Sequence, residues 1–407
     1  MAVPAAEGDS GSPTKYPAPM IAVALIRDAG GARHDILHVL AENLEVVWGA
    51  LAAFAVVVLL TPAVGGMARR LGVVDAPGGR RLNRSPVPRL GGIALFLGII
   101  VPSLAFLPIG RENRGLLLGA AVAVTVGAID DFRGLRWFEK LGGQVAAAAV
   151  PAAFGVWVSR FTFPFVGIHQ LPAWTGIPLT VIWIVAIMNM VNFLDGMDGL
   201  AAGVSAIAGF TFGLIALSLG KPDAAVLSWI VFGACAGFLR HNFYPARIFM
   251  GDSGALLLGY VLAGIAVQGL LKTAATVALF FPLLVLAVPI LDTTFVVARR
   301  LRHGERIFVG DQAHLHHRFL RRGFSQPRAA LTIWGWCLAL AAAALATRFV
   351  PFRAHGVWHV WPTLLAAAIG FVAIAFSVYV IYVLEIVKVG NPISRRREAG
   401  DPLRKSA

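Results

Sequence analysis

Apolar runs long enough to cross a lipid bilayer recur from residue 46 to residue 387, and they limit the fold of this chain more than any other feature. In hydrocarbon a backbone N–H or C=O finds no water. A crossing segment must therefore bond its backbone internally, as a helix of about 20 apolar residues does. Composition agrees: 58% of residues are hydrophobic and 14% charged, where a soluble domain carries about 25% charged residues. The expected fold is all-α, a polytopic membrane protein. Eleven spans are predicted, at 46–69, 90–109, 113–130, 137–158, 173–195, 198–219, 222–241, 254–271, 274–298, 328–350 and 359–387. Ten or twelve also fit, because some runs are short and rich in glycine. No internal repeat is evident, which weakens an inverted-repeat transporter reading.

The chain divides into three parts. Residues 1–44 form an N-terminal segment whose first 19 residues are rich in Pro, Gly, Ser and Ala and read as disordered. It has no basic leader, and Met20–Ile26 is too short for a signal core before Arg27 and Asp28 interrupt it. Residues 45–390 form the integral membrane domain, and 391–407 a basic tail suited to the membrane surface. The net charge of +14 fits cytoplasmic Lys and Arg facing anionic lipid and no nucleic-acid partner. Cys235 and Cys337, both inside apolar runs, read as buried hydrophobes without a disulfide or metal framework.

Orientation follows from the basic residues. With the loop after the first span cytoplasmic, 25 of the 35 Lys and Arg fall on that side and seven on the other. This asymmetry predicts an outside N-terminus and an inside C-terminus. Every unusual polar cluster lies on the same basic side, at helix ends. That is where a water-soluble substrate would meet a lipid one, so a cytoplasmic cleft is expected.

Asn189, Asn192, Asp195 and Asp198 follow each other at three-residue steps where an apolar run ends. Polar groups at this depth are costly and are usually functional. The carboxylates point to a cation or charged ligand, and Gly196, Gly199 and Gly203 to a tight turn. Asp130 and Asp131 end the third span. Neighbours on a helix lie about 100° apart, so one of the two is expected to face the site; a solvated helix end is the plain alternative. Lys140 and Gln144 lie one turn apart, and Lys140 could hold a phosphate or reach the lipid headgroups. Asp252 lies between Gly251 and Ser253-Gly254, either approached closely by a ligand or serving as an N-cap. Asp292, after Pro289, breaks the ninth span as a site carboxylate or a structural hydrogen bond. Beyond Arg299 and Arg300 come Asp311, His314, His316, His317 and Arg318; without a nearby cysteine, phosphate or sugar contact suits them better than zinc. Asp75 to Gly92 reads as an ordered, arginine-bearing first loop.

Together these stretches resemble the polyprenyl-phosphate N-acetylhexosamine-1-phosphate transferase family, glycosyltransferase family 4. The similar segments are Asp75 to Gly92, Asp130 to Gln144, Asn189 to Gly203, Phe249 to Gly259 and Pro289 to Leu320, in the family's order. The form His314-Leu-His316-His317-Arg318 is similar to the branch that uses UDP-GlcNAc. The resemblance implies transfer of GlcNAc-1-phosphate from UDP-GlcNAc to undecaprenyl phosphate, giving UMP and undecaprenyl-diphospho-GlcNAc, in the inner membrane of a bacterium. It implies Mg²⁺, with Mn²⁺ as a substitute, near Asn192 and Asp252. It further implies catalytic roles for Asp130, Asp131 and Asp195, and substrate contacts from Asn189 and from Lys140 near phosphate. Asp198 and Phe249 match positions near the uracil; Arg300, His314, His316 and His317 match a loop for sugar and diphosphate. Dimers occur among relatives, so a homodimer is open. The chain departs from the family at Asn83, where His is usual, at Ala255, where Ser is usual, and at Gln312, where Arg is common.

Phosphoryl transfer asks a protein mainly for positioning and charge neutralisation. A lipid phosphate has its second pKa near 6, by analogy with phosphomonoesters, so a general base contributes little. Competing readings are the same reaction with UDP-GalNAc or UDP-MurNAc-pentapeptide, and a nucleotide-sugar or anion transporter. The His loop argues against the pentapeptide substrate. One-sided clusters argue against the transporter.

Overall fold

The computed structural model describes residues 43–76, 86–163, 167–271, 280–303, 314–350, 353–354 and 357–383. The expected disordered segment, the basic tail, Asn83, Asp311 and Gln312 lie outside the described residues. The described chain is helical. Helix α1 is Leu44–Arg70, α2 Gly91–Phe106, α3 Arg111–Arg133, α4 Trp137–Ala153 and α5 Ala173–Leu194. Then come α6 Leu200–Ser218, α7 Pro222–Asn242 and α8 Gly251–Ile265, the last running into a wider π-helical turn at Ala266–Leu271. Helix α9 is Phe280–Val285, α10 Ala287–His303, α11 Leu315–Arg321, α12 Gln326–Phe349 and α13 Val360–Val383.

The chain is a multi-pass membrane protein, and within the described residues each predicted span falls mainly on helix. The expectation of eleven crossings needs qualification. Among the described residues, eight helices are long and apolar enough to cross a membrane. The second predicted span holds only the 16 residues of α2, and the fourth the 17 of α4. The ninth is split, and the break falls at Leu286, before Pro289. A proline has no N–H to donate back four residues and its ring crowds that carbonyl, so the helix yields one turn ahead of it.

Helix α8 is the axis of the bundle. It is almost wholly buried, packed on α3 and α5, with α2 beside it. Without a hydrophobic drive between helices in lipid, close approach depends on small residues. A Cβ at Gly92 would lie 2.1 Å from the Gly254 nitrogen, and one at Gly127 would lie 2.4 Å from the Ser253 Cα. Helices α2 and α3 therefore meet the first turn of α8 backbone to backbone. Helix α13 is the opposite case, mostly exposed within the described chain, as a lipid-facing helix is.

Backbone hydrogen bonds carry the first loop to the same place. Strand β1 (Val74–Asp75) pairs antiparallel with β2 (Val87–Pro88), Asp75 opposite Val87. The Phe249 N–H donates to Pro88 O at 2.9 Å, and Gly91 N–H to Phe249 O at 3.0 Å. These bonds hold Arg89 against the start of α8.

Candidate active site

Lys140 lies at a junction of three helices. Its Nζ is 2.8 Å from Asp130 Oδ2, 3.0 Å from Asp252 Oδ1 and 3.2 Å from Asn192 Oδ1. Asp130 comes from the last turn of α3, Asn192 from the last turn of α5 and Asp252 from the first turn of α8. The Asn192 amide in turn donates to Asp252 Oδ1. The other oxygen of Asp130 accepts the Leu135 N–H at 2.6 Å, fixing the turn that leads into α4. Both oxygens of Asp130 are thus engaged, one in holding Lys140.

Asp131 points elsewhere, as its 100° offset on the helix requires. Its side chain is fully buried. It accepts the backbone N–H of Asp252 at 2.9 Å, the N–H of Ser253 at 3.0 Å and the Ser253 hydroxyl at 2.8 Å. Helix α8 begins at Gly251 after Met250, which offers no side-chain cap. The first N–H groups of a helix need an acceptor, and Asp131 supplies it from α3. Asp252 is therefore not the cap of its own helix. Arg89 completes this wall, with its guanidinium 3.4 Å from Asp131 and 4.0 Å from Asp252.

A cavity of about 510 Å³ opens beside this junction. Lys140, Asn189, Asn192 and Asp195 line it together with Arg300, His314, His316 and His317. Asn189 is paired with Gln144, donating to Gln144 Oε1 at 2.7 Å and accepting from its Nε2 at 3.2 Å. Asp198 and Phe249 are outside the cavity lining. Asp198 accepts the Ala246 N–H at 2.9 Å, which ties it to the segment carrying Phe249. Desolvation pushes the Asp198 carboxyl above its ordinary value.

His316 is buried, and a Cβ on Gly196 would lie 2.3 Å from its Nε2. Among the described residues neither of its ring nitrogens has a hydrogen-bond partner. Burial, then the neighbouring His317 and His314, push its pKa down to about 3. The ring is therefore neutral near pH 7 and offers one donor and one acceptor to a ligand.

The residues present fit a hard divalent cation. Asp252 and Asn192 turn oxygens toward a single cationic nitrogen, and every candidate donor is oxygen. The carboxylates of Asp130, Asp131, Asp195 and Asp252 are offset here mainly by Lys140 and Arg89. Asp195 is pushed well above the usual carboxylate range, first by desolvation and then by the charges of Asp252 and Asp131. Among the described residues no three His, Cys, Asp or Glu side chains form a ready metal cluster. An ion here would draw on the asparagine oxygen and on substrate oxygens as well.

Some residues of this arrangement were not read as site residues in the sequence. Arg89 counted only as a basic loop residue, although its position just before Gly91-Gly92 was a usable signal. Ser253, beside Asp252, has no role in the sequence reading. Phe193, between Asn192 and Asp195, stacks on His314 with ring centroids 5.2 Å apart and carries no polar group that would mark it in the sequence.

Comparison with known proteins extends these findings. The glycosyl transferase family 4 profile matches residues 113–270. The chain is 36% identical over 306 residues to the "Probable undecaprenyl-phosphate N-acetylglucosaminyl 1-phosphate transferase" of Bacillus subtilis, covering 74% of this chain and 85% of that protein. It is 35% identical over 336 residues to the "Decaprenyl-phosphate N-acetylglucosaminephosphotransferase" of Mycobacterium leprae, covering 75% and 84%. It is also 36% identical over 337 residues to the "Phospho-N-acetylmuramoyl-pentapeptide-transferase" of Desulforudis audaxviator, covering 74% and 98%.

Proposed function

From the premise that this chain belongs to glycosyl transferase family 4, as a polyprenyl-phosphate N-acetylhexosamine-1-phosphate transferase, we propose that its substrates are UDP-GlcNAc and undecaprenyl phosphate. The products are undecaprenyl-diphospho-GlcNAc and UMP, the first lipid-linked step of a cell-envelope polysaccharide. The reaction takes place at the cytoplasmic face of a bacterial inner membrane. The observation that carries this reading is the Lys140 junction with Asp130, Asn192 and Asp252, set beside a cavity that Arg300 and three histidines close. An anionic donor and an anionic acceptor can meet only where cations are already arranged.

A lipid phosphate oxygen attacks the sugar-bearing β-phosphorus. The bond from that phosphorus to the bridging oxygen breaks, and UMP leaves with the electron pair. Lys140, held by Asp130, and Arg300 offset charge on the diphosphate. Asp130 acts here as the holder of Lys140, consistent with a nucleophile that is largely ionised near pH 7. Asp131 fixes the direction of Asp252 through the first turn of α8. Asp252 and Asn192, with Asp195 near them, would hold Mg²⁺ or Mn²⁺. When bound, the ion supplies neutralisation of the diphosphate. Neutral His316 suits hydroxyl or acetamido groups of the sugar better than phosphate.

The test is incubation of the purified protein with undecaprenyl phosphate and radiolabelled UDP-GlcNAc, UDP-GalNAc or UDP-MurNAc-pentapeptide, scoring lipid-extractable label. Label from UDP-GlcNAc above the other two is expected. Label mainly from the pentapeptide substrate, the donor group named in the Desulforudis relative, would replace the sugar assignment. Uptake into vesicles without lipid product would favour a transporter.

A further inference from the structure

We propose that Asp292 is a positioning residue for the transfer, fixing the tautomer and ring plane of His314 so that Nε2 is the nitrogen presented to substrate. The proposal rests on the transferase reading of the site. Asp292 lies on α10, is buried, and does not line the cavity, whereas His314 does. Its Oδ2 is 3.1 Å from His314 Nδ1, and its Oδ1 accepts the Leu315 N–H at 2.9 Å. One carboxylate therefore grips two successive residues at the start of α11.

A buried carboxylate is costly unless its oxygens are hydrogen-bonded, and these two bonds exist only when the His segment is docked on α10. An ionised carboxylate is an acceptor only, so the proton must sit on Nδ1. That leaves Nε2 for the cavity. Two further contacts hold the plane of the ring. Phe193 stacks on His314 at 5.2 Å with 29° between planes, and His316 lies parallel to it at 6.1 Å and 5°. Phe193 follows Asn192 on α5, so the imidazole is referenced to the helix that bears the proposed metal ligand.

Asp292→Asn tests this with almost no change of shape. The amide oxygen can still accept the Leu315 N–H, but the amide nitrogen then donates to Nδ1 and forces the proton onto Nε2. In full-length protein labelled with ¹⁵N-histidine, with His314→Gln identifying the His314 signals, the wild type should show a protonated Nδ1 and Asp292→Asn a protonated Nε2. In the UDP-GlcNAc assay, kcat of Asp292→Asn should fall about tenfold or more, as loss of an orienting partner does. Asp292→Glu should recover part of that loss. In the His314→Gln background Asp292→Asn should cost nothing further.

An unprotonated Nδ1 in the wild type would overturn the proposal, as would losses for Asp292→Asn and His314→Gln that multiply. If Asp292→Asn fails to fold, the wild-type spectrum and Asp292→Glu decide it. A folded Asp292→Glu with the Nδ1 proton kept and no activity recovered would refute the positioning role. If the wild type transfers none of the three sugars, the transferase reading fails while the spectrum still judges the Asp292–His314 pair.

Discussion

Asp131 accepts the backbone N–H of Asp252 at 2.9 Å, so one carboxylate sets the position of the other. The bond joins the end of α3 to the start of α8, two helices whose backbones meet through Gly127. Asp131→Asn keeps one acceptor oxygen but places an amide where two N–H groups and a hydroxyl converge. Transfer should fall about 100-fold, the scale of a misplacement of roughly 1 Å at a reacting centre. Stability should fall by about 1 kcal/mol, as for a lost helix cap. Lipid-linked label and a detergent melting curve on the same sample check both, and full turnover would refute the positioning role of Asp131.

Asp252→Ala removes the oxygen shared by Lys140 and Asn192. Lipid-linked product should disappear while the amount of folded protein in the membrane is retained. Turnover equal to wild type in the purified variant would remove Asp252 from the site.

Excess chelator should abolish transfer, and Mg²⁺ or Mn²⁺ should restore it, because the oxygen donors around Asp252 and Asn192 are those a hard cation takes. Unchanged activity in chelator would sink the metal proposal.

Gly251 has φ of +68°, and a Cβ there would lie 2.5 Å from Asp131 Oδ2. Gly251→Ala meets a left-handed backbone penalty of roughly 1–2 kcal/mol and a clash with the capping carboxylate as well. Both melting temperature and transfer should drop. An unaltered melting temperature would contradict the close approach of α3 to α8.

His316 has a folded pKa of about 3, where an unfolded histidine titrates near 6.5. Above pH 6.5 neither state binds the proton and the group contributes no pH dependence. As pH falls below that value the unfolded chain takes up a proton that the folded chain refuses. Stability should then decline by up to about 1.4 kcal/mol per pH unit until pH approaches 3. Melting curves between pH 7.5 and 5 should show this slope in the wild type and a smaller one in His316→Gln. Identical slopes would mean that the buried imidazole is not the source.

The sequence by itself determined the fold class and the neighbourhood of the site. Apolar runs of bilayer length leave the backbone no economical alternative to helix, and side chains as costly in lipid as Asp130, Asn192, Asp195 and Asp252 stand out against them. Their spacing also carried the division between Asp130 and Asp131, because helix geometry turns neighbours apart. The sequence could not distribute the partners. That Lys140 would bridge three helices, that Asp131 would cap α8 across the bundle, and that Asp292 would grip the His segment depend on contacts between residues 10 to 122 positions apart. Local periodicity says which way a side chain leaves its own helix but nothing of what stands opposite. The packing of α2 and α3 onto α8, allowed by Gly92 and Gly127, brought Asp131 within reach of the first turn of α8, and docking of the His segment on α10 brought His314 to Asp292.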